Sequence, residues 1–312
     1  MSTWKVEAAV RRFVDLHTHS TASDGTLPPA DLIALADRRE LAAIALTDHD
    51  TLDGLAPARQ AAAAFPELKF VPGIEVSAQP PSGTLHILGL AFDEKAPSIL
   101  DLADFLRSGR RERNPAIVAK LQQLGVAIDM EDVLEALVEA GGGSGVTEVT
   151  RPEEPGASHL VVSRTHIALA MLRKGYVATT AEAFDKYIGK GKPAYVDRPR
   201  KSAAETIAAI RDAGGISVLA HPVQLNCANS AQIERIVHDL KDSGLDAIEA
   251  YHSQSGPELT RAFMELARRF NLAITGGSDF HGAPKPDVSV GRPRVPLAAF
   301  NEQFLARLFA RS

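Results

Sequence analysis

The chain of 312 residues has a single cysteine, Cys227. An intrachain disulfide is therefore impossible, and any metal site must use nitrogen and oxygen ligands. Aromatic residues make up only 5% of the chain. No apolar run approaches the roughly 18 residues of a membrane span. The start, MSTWKVEAAVRRF, lacks the apolar stretch of a secretory leader, so the expected location is the cytoplasm, with no membrane partner. Excess positive charge is missing too. Lys and Arg number 34 against 39 Asp and Glu, a formal net charge of −5. That excludes wholesale electrostatic wrapping of nucleic acid but leaves room for a local basic patch. With 45% apolar residues, the chain suits one large α/β unit, or one with a smaller appendage. Against these shortages stand ten histidines, and their placement carries the argument.

Short apolar runs alternate with helical periods. RFVDLHTH (12–19), LAAIALTDH (41–49), KFVPGIEVSA (69–78), TLHILGLAFD (84–93), GISVLAHP (215–222), LDAIEAYH (245–252) and NLAITGGSDFH (271–281) read as strands. The PPSG turn at 80–83 suggests a hairpin between the third and fourth. Helices of about 12 residues fit between most of the others. Such alternation predicts parallel βαβ units, hence an open sheet or a barrel. Polar, metal-binding residue types follow the strands at once, and the C-terminal strand ends are where α/β folds place their sites. Five strand ends bearing His, Asp or Glu favour a barrel over an open sheet. Residues 101–199 break the rhythm and read as a helical insertion, leaving 1–100 and 200–312 as a discontinuous barrel. Within the insertion, the Gly-, Ser- and Pro-rich stretch 141–158 reads as a loop or a lid.

His17 and His19 stand two apart at a strand end, so both imidazoles share one face. Asp15 lies one step down that face and is placed to orient a histidine. Asp24 follows in a turn, Asp48-His49-Asp50 closes the second strand, and Glu75 and His86 lie in the third and fourth. His221 follows an apolar strand, and Asp279 and His281 end the last one, again two apart. So many buried histidines and carboxylates would be costly without a cation among them. Imidazole and carboxylate without thiolate suit Mn, Fe or Zn better than Mg alone. Clustered divalent ions make hydroxide available near neutral pH and take the oxygens of a phosphate ester.

The motifs DLHTHS (15–20), SDGTLPP (23–29), LTDHDTLDG (46–54), PGIEVSA (72–78), HILGL (86–90), LAHP (219–222) and GSDFHG (277–282) closely resemble those of the PHP (polymerase and histidinol phosphatase) family, in order and over nearly the whole chain. The resemblance implies a distorted (β/α)7 barrel with three divalent metals, Mn foremost and Fe or Zn as alternatives, on its C-terminal rim. His17, His19, Glu75 and Asp279 would hold one ion. Glu75 would bridge to a second, held with His86 and His221, and Asp24, His49 and His281 would hold the third. The reaction implied is in-line hydrolysis of a phosphoester by a metal-bridging hydroxide, with His221, His281 or a metal-held water as alternative proton donors.

The segments RSGRRERNPAIVAKLQQLG, SRTHIALAML and AFDKYIGKGKPAYV resemble the branch with a helical insertion. That branch includes nucleoside 3′,5′-bisphosphate phosphatases and 5′–3′ exoribonucleases. Between 107 and 120 there are five basic residues and one acidic, and between 185 and 201 six basic and two acidic. Arg110, Arg113, Arg164 and His166 are the expected substrate contacts, with Lys190 and Lys192 as further phosphate contacts. The expected partner is a small phosphorylated nucleotide or the 5′ end of a short RNA, with no obligate protein partner. The scarcity of aromatics within the basic stretches weighs against a long strand. A non-catalytic metal-binding regulatory module and a C–N amidohydrolase are the readings from other classes. Cys227 reads as a loop thiol. His159, His238 and His252 read as surface or packing residues, with Tyr251-His252 at a strand end near the pocket, and Trp4 as a barrel cover.

Overall fold

A computed structural model describes residues 11–140 and 161–311; Trp4, His159 and the stretch 141–158 fall outside the described residues. Elements in chain order are β1 (Phe13–Asp15), α1 (Pro29–Arg38), β2 (Ala43–Leu46), α2 (Leu55–Ala62), β3 (Lys69–Ala78), β4 (Leu85–Leu90), α3 (Pro97–Gln123), α4 (Met130–Ala140), α5 (Arg164–Arg173), α6 (Thr180–Ala183) running into a π turn (Phe184–Ile188), α7 (Ala203–Asp212), β5 (Ile216–Leu219), α8 (Ser230–Asp242), β6 (Ala247–His252), α9 (Pro257–Arg269), β7 (Ala273–Gly277), β8 (Val295–Pro296) and α10 (Glu302–Leu308).

The strands form one sheet in the order β7-β6-β5-β4-β3-β2-β1-β8. It curls into a nearly closed barrel, matching the expected distorted (β/α)7 architecture with a helical insertion. β1, β2 and β3 run parallel, as do β5, β6 and β7. β4 is antiparallel to both β3 and β5, because the short turn after β3 allows a hairpin and not a crossover. The expectation of parallel units therefore fails at β4, and again at β8, which is antiparallel to β1, while the expected hairpin is present. β8, unforeseen in the sequence, pairs with the first half of β1 through Phe13 and Val14. The chain beyond β1 then closes on β7: Leu16 donates to the Gly276 carbonyl at 3.1 Å and Asp279 to that of His17 at 2.8 Å.

Side-chain alternation splits the strands between two cores. Ile44, Leu46, Phe70, Ile74, Ile87 and Ile248 face the helical layer with residues such as Leu32 and Ile207. Ala43, Ala45, Val71, Leu88, Val218 and Ala247 face inward, joined by Phe300, Phe304 and Leu308 from the C-terminal segment. The insertion has a third core, including Ile117, Leu121, Val133, Ile167 and Met171. α3 spans two of these: Ile99, Leu102 and Leu106 are in the barrel's outer core, and Ile117 to Leu121 in the insertion's. Helix starts follow local chemistry. α7 has a Ser202–Glu205 capping box, and α5 a box in which His166 takes the place usually held by Glu.

Closure depends on two glycines. A Cβ on Gly277 would lie 2.4 Å from the His17 Cβ and 2.5 Å from its nitrogen, and one on Gly276 2.4 Å from the Tyr251 Cβ. Gly277→Ala must push β7 away from the backbone of His17. The expected cost is about 1–3 kcal/mol or more, read as a lowered urea midpoint, together with weakened binding of divalent ions. An unchanged midpoint would show that the seam relaxes freely.

Candidate metal centre and anion pocket

Glu75 sits at the centre of the C-terminal rim and is wholly buried. β3 carries it between two strands of opposite sense. On one side Asp50 N donates to the Glu75 carbonyl at 3.0 Å, bringing the Asp48-His49-Asp50 turn alongside. On the other the hairpin sets His86 opposite Ser77. Five imidazoles reach the Glu75 carboxylate. Oε2 lies 3.3 Å from His17 Nε2, 3.1 Å from His19 Nε2 and 3.0 Å from His49 Nδ1. Oε1 lies 2.6 Å from His86 Nδ1 and 2.8 Å from His221 Nε2. Burial pushes the Glu75 carboxyl up, but the surrounding imidazoles hold it well below its ordinary range.

The remaining expected ligands complete two further corners. Asp279 Oδ1 is 3.3 Å from His19 Nε2 and 3.6 Å from His17 Nε2. His281 Nε2 is 3.4 Å from Asp24 Oδ1, and its Nδ1 is fixed at 2.9 Å from the Asp279 carbonyl. The ligand atoms of His17, His19, Glu75 and Asp279 lie within 4.8 Å of one another, as do those of His19, Asp24, His49 and His281, and of His49, Glu75 and His86. His221 joins through Glu75 and through His86, whose Nδ1 is 3.3 Å from its Nε2. All nine expected ligands thus converge, with His49 standing between two groups.

The donor set fits divalent cations on a direct observation. Among the described residues His17 Nε2, His19 Nε2, His49 Nδ1 and Glu75 Oε2 are buried without a hydrogen-bond partner and face one another. Each unsatisfied atom of that kind costs about 1–3 kcal/mol, which a shared cation offsets. Backbone strain gathers here as well: Asp50, His221 and Asp279 hold positive φ of 58°, 25° and 56°, which turns their side chains at the strand ends.

One expectation about orientation is corrected. Asp15 does not meet a histidine ring; it accepts the backbone N–H groups of Ser278 and Gly291, both at 2.8 Å. The carboxylate on His17 is Glu249, whose Oε1 is 3.0 Å from Nδ1. His252 is a buried neighbour of the cluster, with Nε2 3.3 Å from Asp279 Oδ2. Lys285 Nζ reaches that same oxygen at 2.5 Å. Glu249 and Lys285 were not singled out in the sequence, although a lone carboxylate within the apolar run of β6 was the available signal.

A cavity of about 360 Å³ opens beside the cluster. Asp24, His49 and His86 form one wall; Arg110, Arg113, Arg164, Arg198 and Arg200 face it, with Lys190, Phe184 and Tyr195 alongside. Three of the four expected substrate contacts therefore lie on this pocket. The fourth, His166, does not line it. Its buried Nδ1 instead accepts the Ser163 N–H at 3.0 Å, because it serves as the cap partner of α5. Arg164 packs over the rings of Phe184 and Tyr195 at 5.5 and 5.7 Å. Lys192 is not part of the lining, and Arg198 is an unforeseen member of it.

Asp50 anchors the basic wall. Its Oδ2 accepts from Arg110 Nε at 2.9 Å and Arg198 Nη2 at 2.6 Å, and its Oδ1 from Ser77 N at 2.9 Å. Among the described residues Arg113 has no carboxylate partner and donates to Asn114 Oδ1, at 3.1 and 2.7 Å. Burial, then the charges of Arg110, Arg198 and Arg164, push the Arg113 guanidinium down to about 8. A buried guanidinium in that position gains by meeting an incoming anion.

Three comparisons bear on this site. The PHP domain model matches residues 15–176. A 3′,5′-nucleoside bisphosphate phosphatase of Chromobacterium violaceum is 34% identical over 89% of this chain and 90% of its own. The chain belongs to the PHP family. A 5′–3′ exoribonuclease, Rnm, of Salmonella typhimurium is 31% identical over 89% of this chain and 88% of its own. A solved structure from Bifidobacterium adolescentis, assigned as a metal-dependent phosphoesterase, superposes with a TM-score of 0.78 at 28% identity, over 94% of this chain and 96% of that one. Among the described residues, no helix is long and apolar enough to cross a membrane.

Asp50→Asn leaves two buried arginines without their counter-charge, at an expected cost of about 3–5 kcal/mol. Burial pushes the Asp50 carboxyl up, but the arginines hold it far below its ordinary range. Its contribution is thus complete above the unfolded pKa of about 4 and is lost as pH falls toward the folded value. Urea titrations of both proteins should show a constant gap from about pH 5 to 7 that narrows on further acidification. A gap that widens in acid would contradict the assignment.

Proposed function

We propose that this chain is a metal-dependent phosphoesterase that hydrolyses a phosphomonoester of a small nucleotide of the 3′,5′-bisphosphate type. One observation carries the reading: a nitrogen–oxygen cluster and an arginine wall face each other across a single cavity. In this reading His17, His19, Glu75 and Asp279 hold one divalent ion; Glu75, His86 and His221 a second; and Asp24, His49 and His281 a third, with Mn the favoured metal. Bound ions would supply a strong nucleophile near neutral pH and neutralise phosphate charge. The rest falls to side chains of this chain. Arg113 and Arg164 grip the phosphate oxygens, Arg110 and Arg198 are pre-aimed by Asp50, and Phe184 and Tyr195 offer a flat face to a base. Residues 101–199 act as the cover that brings this wall over the barrel formed by 1–100 and 200–312.

A second reading, 5′–3′ exonuclease action on short RNA, uses the same residues. The PHP relatives named above include both activities, and an aromatic pair beside Arg164 suits a terminal nucleotide as well as a free one. The complete ligand set weighs against a non-catalytic regulatory module. The central carboxylate weighs against a C–N hydrolase, which expects a modified lysine at the bridging position.

Mn-reconstituted protein should release phosphate from nucleoside 3′,5′-bisphosphates, lose that activity to EDTA and regain it with Mn. Mononucleotides appearing from a 5′-phosphorylated oligonucleotide, with bisphosphates untouched, would select the second reading. Silence on bisphosphates, histidinol phosphate and oligonucleotides together would sink both. Asp279→Ala should lower kcat by orders of magnitude with the fold retained. Arg164→Ala should chiefly raise KM, and unchanged kinetics would remove Arg164 from the pocket.

A further inference from the structure

Among the described residues a fourth group brings metal-ligand types together: His17, Glu249 and His252. Its hydrogen bonds argue against another ion. His252 Nδ1 accepts the Gln254 N–H at 3.1 Å, so the ring proton sits on Nε2, which points at Asp279 Oδ2. A protonated nitrogen offers no lone pair. The group is a hydrogen-bonding layer behind the proposed ligands, and Glu249 is its centre.

β6 is bulged between Glu249 and Tyr251: Glu249 pairs with Thr275, whereas Tyr251 and His252 pair with Gly276 and Gly277. Strict alternation would send residues three apart to opposite faces. The bulge inserts one residue and brings Glu249 and His252 to the same buried cluster. Both are almost wholly inaccessible. Glu249 then divides its carboxylate. Oε1 takes His17 Nδ1 at 3.0 Å, and Oε2 accepts the backbone N–H of His221 at 2.7 Å. His221 holds φ 25° and ψ 69°, a conformation that needs an external tether.

We infer that Glu249 is a positioning residue that builds two halves of the metal centre at once. One oxygen fixes the His17 tautomer; the other pins the strained turn that aims His221 at Glu75. With its proton held on Nδ1, His17 presents the Nε2 lone pair to Glu75 and Asp279. With its backbone pinned, His221 presents Nε2 to the opposite oxygen of Glu75. The third corner, Asp24, His49 and His281, makes no contact with Glu249. The inference rests on the metal-centre reading above.

Glu249→Gln keeps the shape and cannot satisfy both donors. An amide nitrogen turned to His17 would reverse the tautomer; turned to His221 it would oppose that N–H. Chelator-stripped protein is titrated with Mn(II) by calorimetry, bound ions per chain are counted after dialysis, and the Co(II) absorption spectrum is recorded. The parent should bind several ions. Glu249→Gln should bind those that depend on His17 and His221 about 10–100-fold more weakly, with an altered Co(II) spectrum, and keep the ion of the third corner. Parent-like affinity and stoichiometry would overturn the inference. If circular dichroism shows Glu249→Gln unfolded, Glu249→Asp decides: its shorter carboxylate cannot span both donors, so weakened ions support the inference and parent-like binding defeats it. A parent chain that binds no divalent ion would instead defeat the metal-centre reading.

Discussion

One buried carboxylate organises this molecule. Glu75 meets five imidazoles supplied by four different parts of the chain: the extension of β1, the turn after β2, β4, and the turn after β5. A carboxylate at zero exposure is tolerable only where its charge is answered from every side. The barrel is what allows that answer. No single strand or helix could present groups from so many directions, whereas a ring of strand ends does so by construction. The rim's strained backbone and the glycine seam between β1 and β7 both follow from bringing these groups within reach of one atom pair.

A second constraint sits one residue beyond His49. Asp50 receives Arg110 from α3 and Arg198 from the segment before α7, while its neighbour faces Glu75. The imidazole–carboxylate cluster and the arginine wall are therefore tied through adjacent residues of one turn. The wall keeps an excess of positive charge because Asp50 neutralises only part of it. Among the described residues Arg113 is paired with an amide oxygen alone, so the cavity wall carries unneutralised positive charge.

Much of this was legible in the sequence. β3 matches its expected span from Lys69 to Ala78 in full, because strong periodicity bounded by turn residues leaves little ambiguity. The nine converging side chains were legible because they fall at strand ends in recognisable order. What could not be read depends on tertiary geometry. β1 is shorter than its apolar run, since Leu16 to His19 bond across the seam with β7. β8 has two residues, too few for any periodicity. Glu249 and His252 break the rule of two through a bulge, which leaves no mark in the residues themselves. His166 was misplaced because a histidine in a capping box resembles a histidine in a pocket until the fold shows which way it faces.

The continuous run of α3 has a mechanical meaning. Its first half is embedded in the barrel's outer core, its second half in the core of the insertion, and Arg110 and Arg113 lie between. The helix is a rod about 40 Å long, clamped at one end and loaded at the other. Pro115 sits just past the arginines, and its missing N–H leaves the backbone carbonyl four residues earlier without its helical partner. A turn that lacks one backbone hydrogen bond thus adjoins two arginines that line the cavity. A bend of the rod at that turn would swing Arg110 and Arg113 together against the opposite wall of Asp24, His49 and His86.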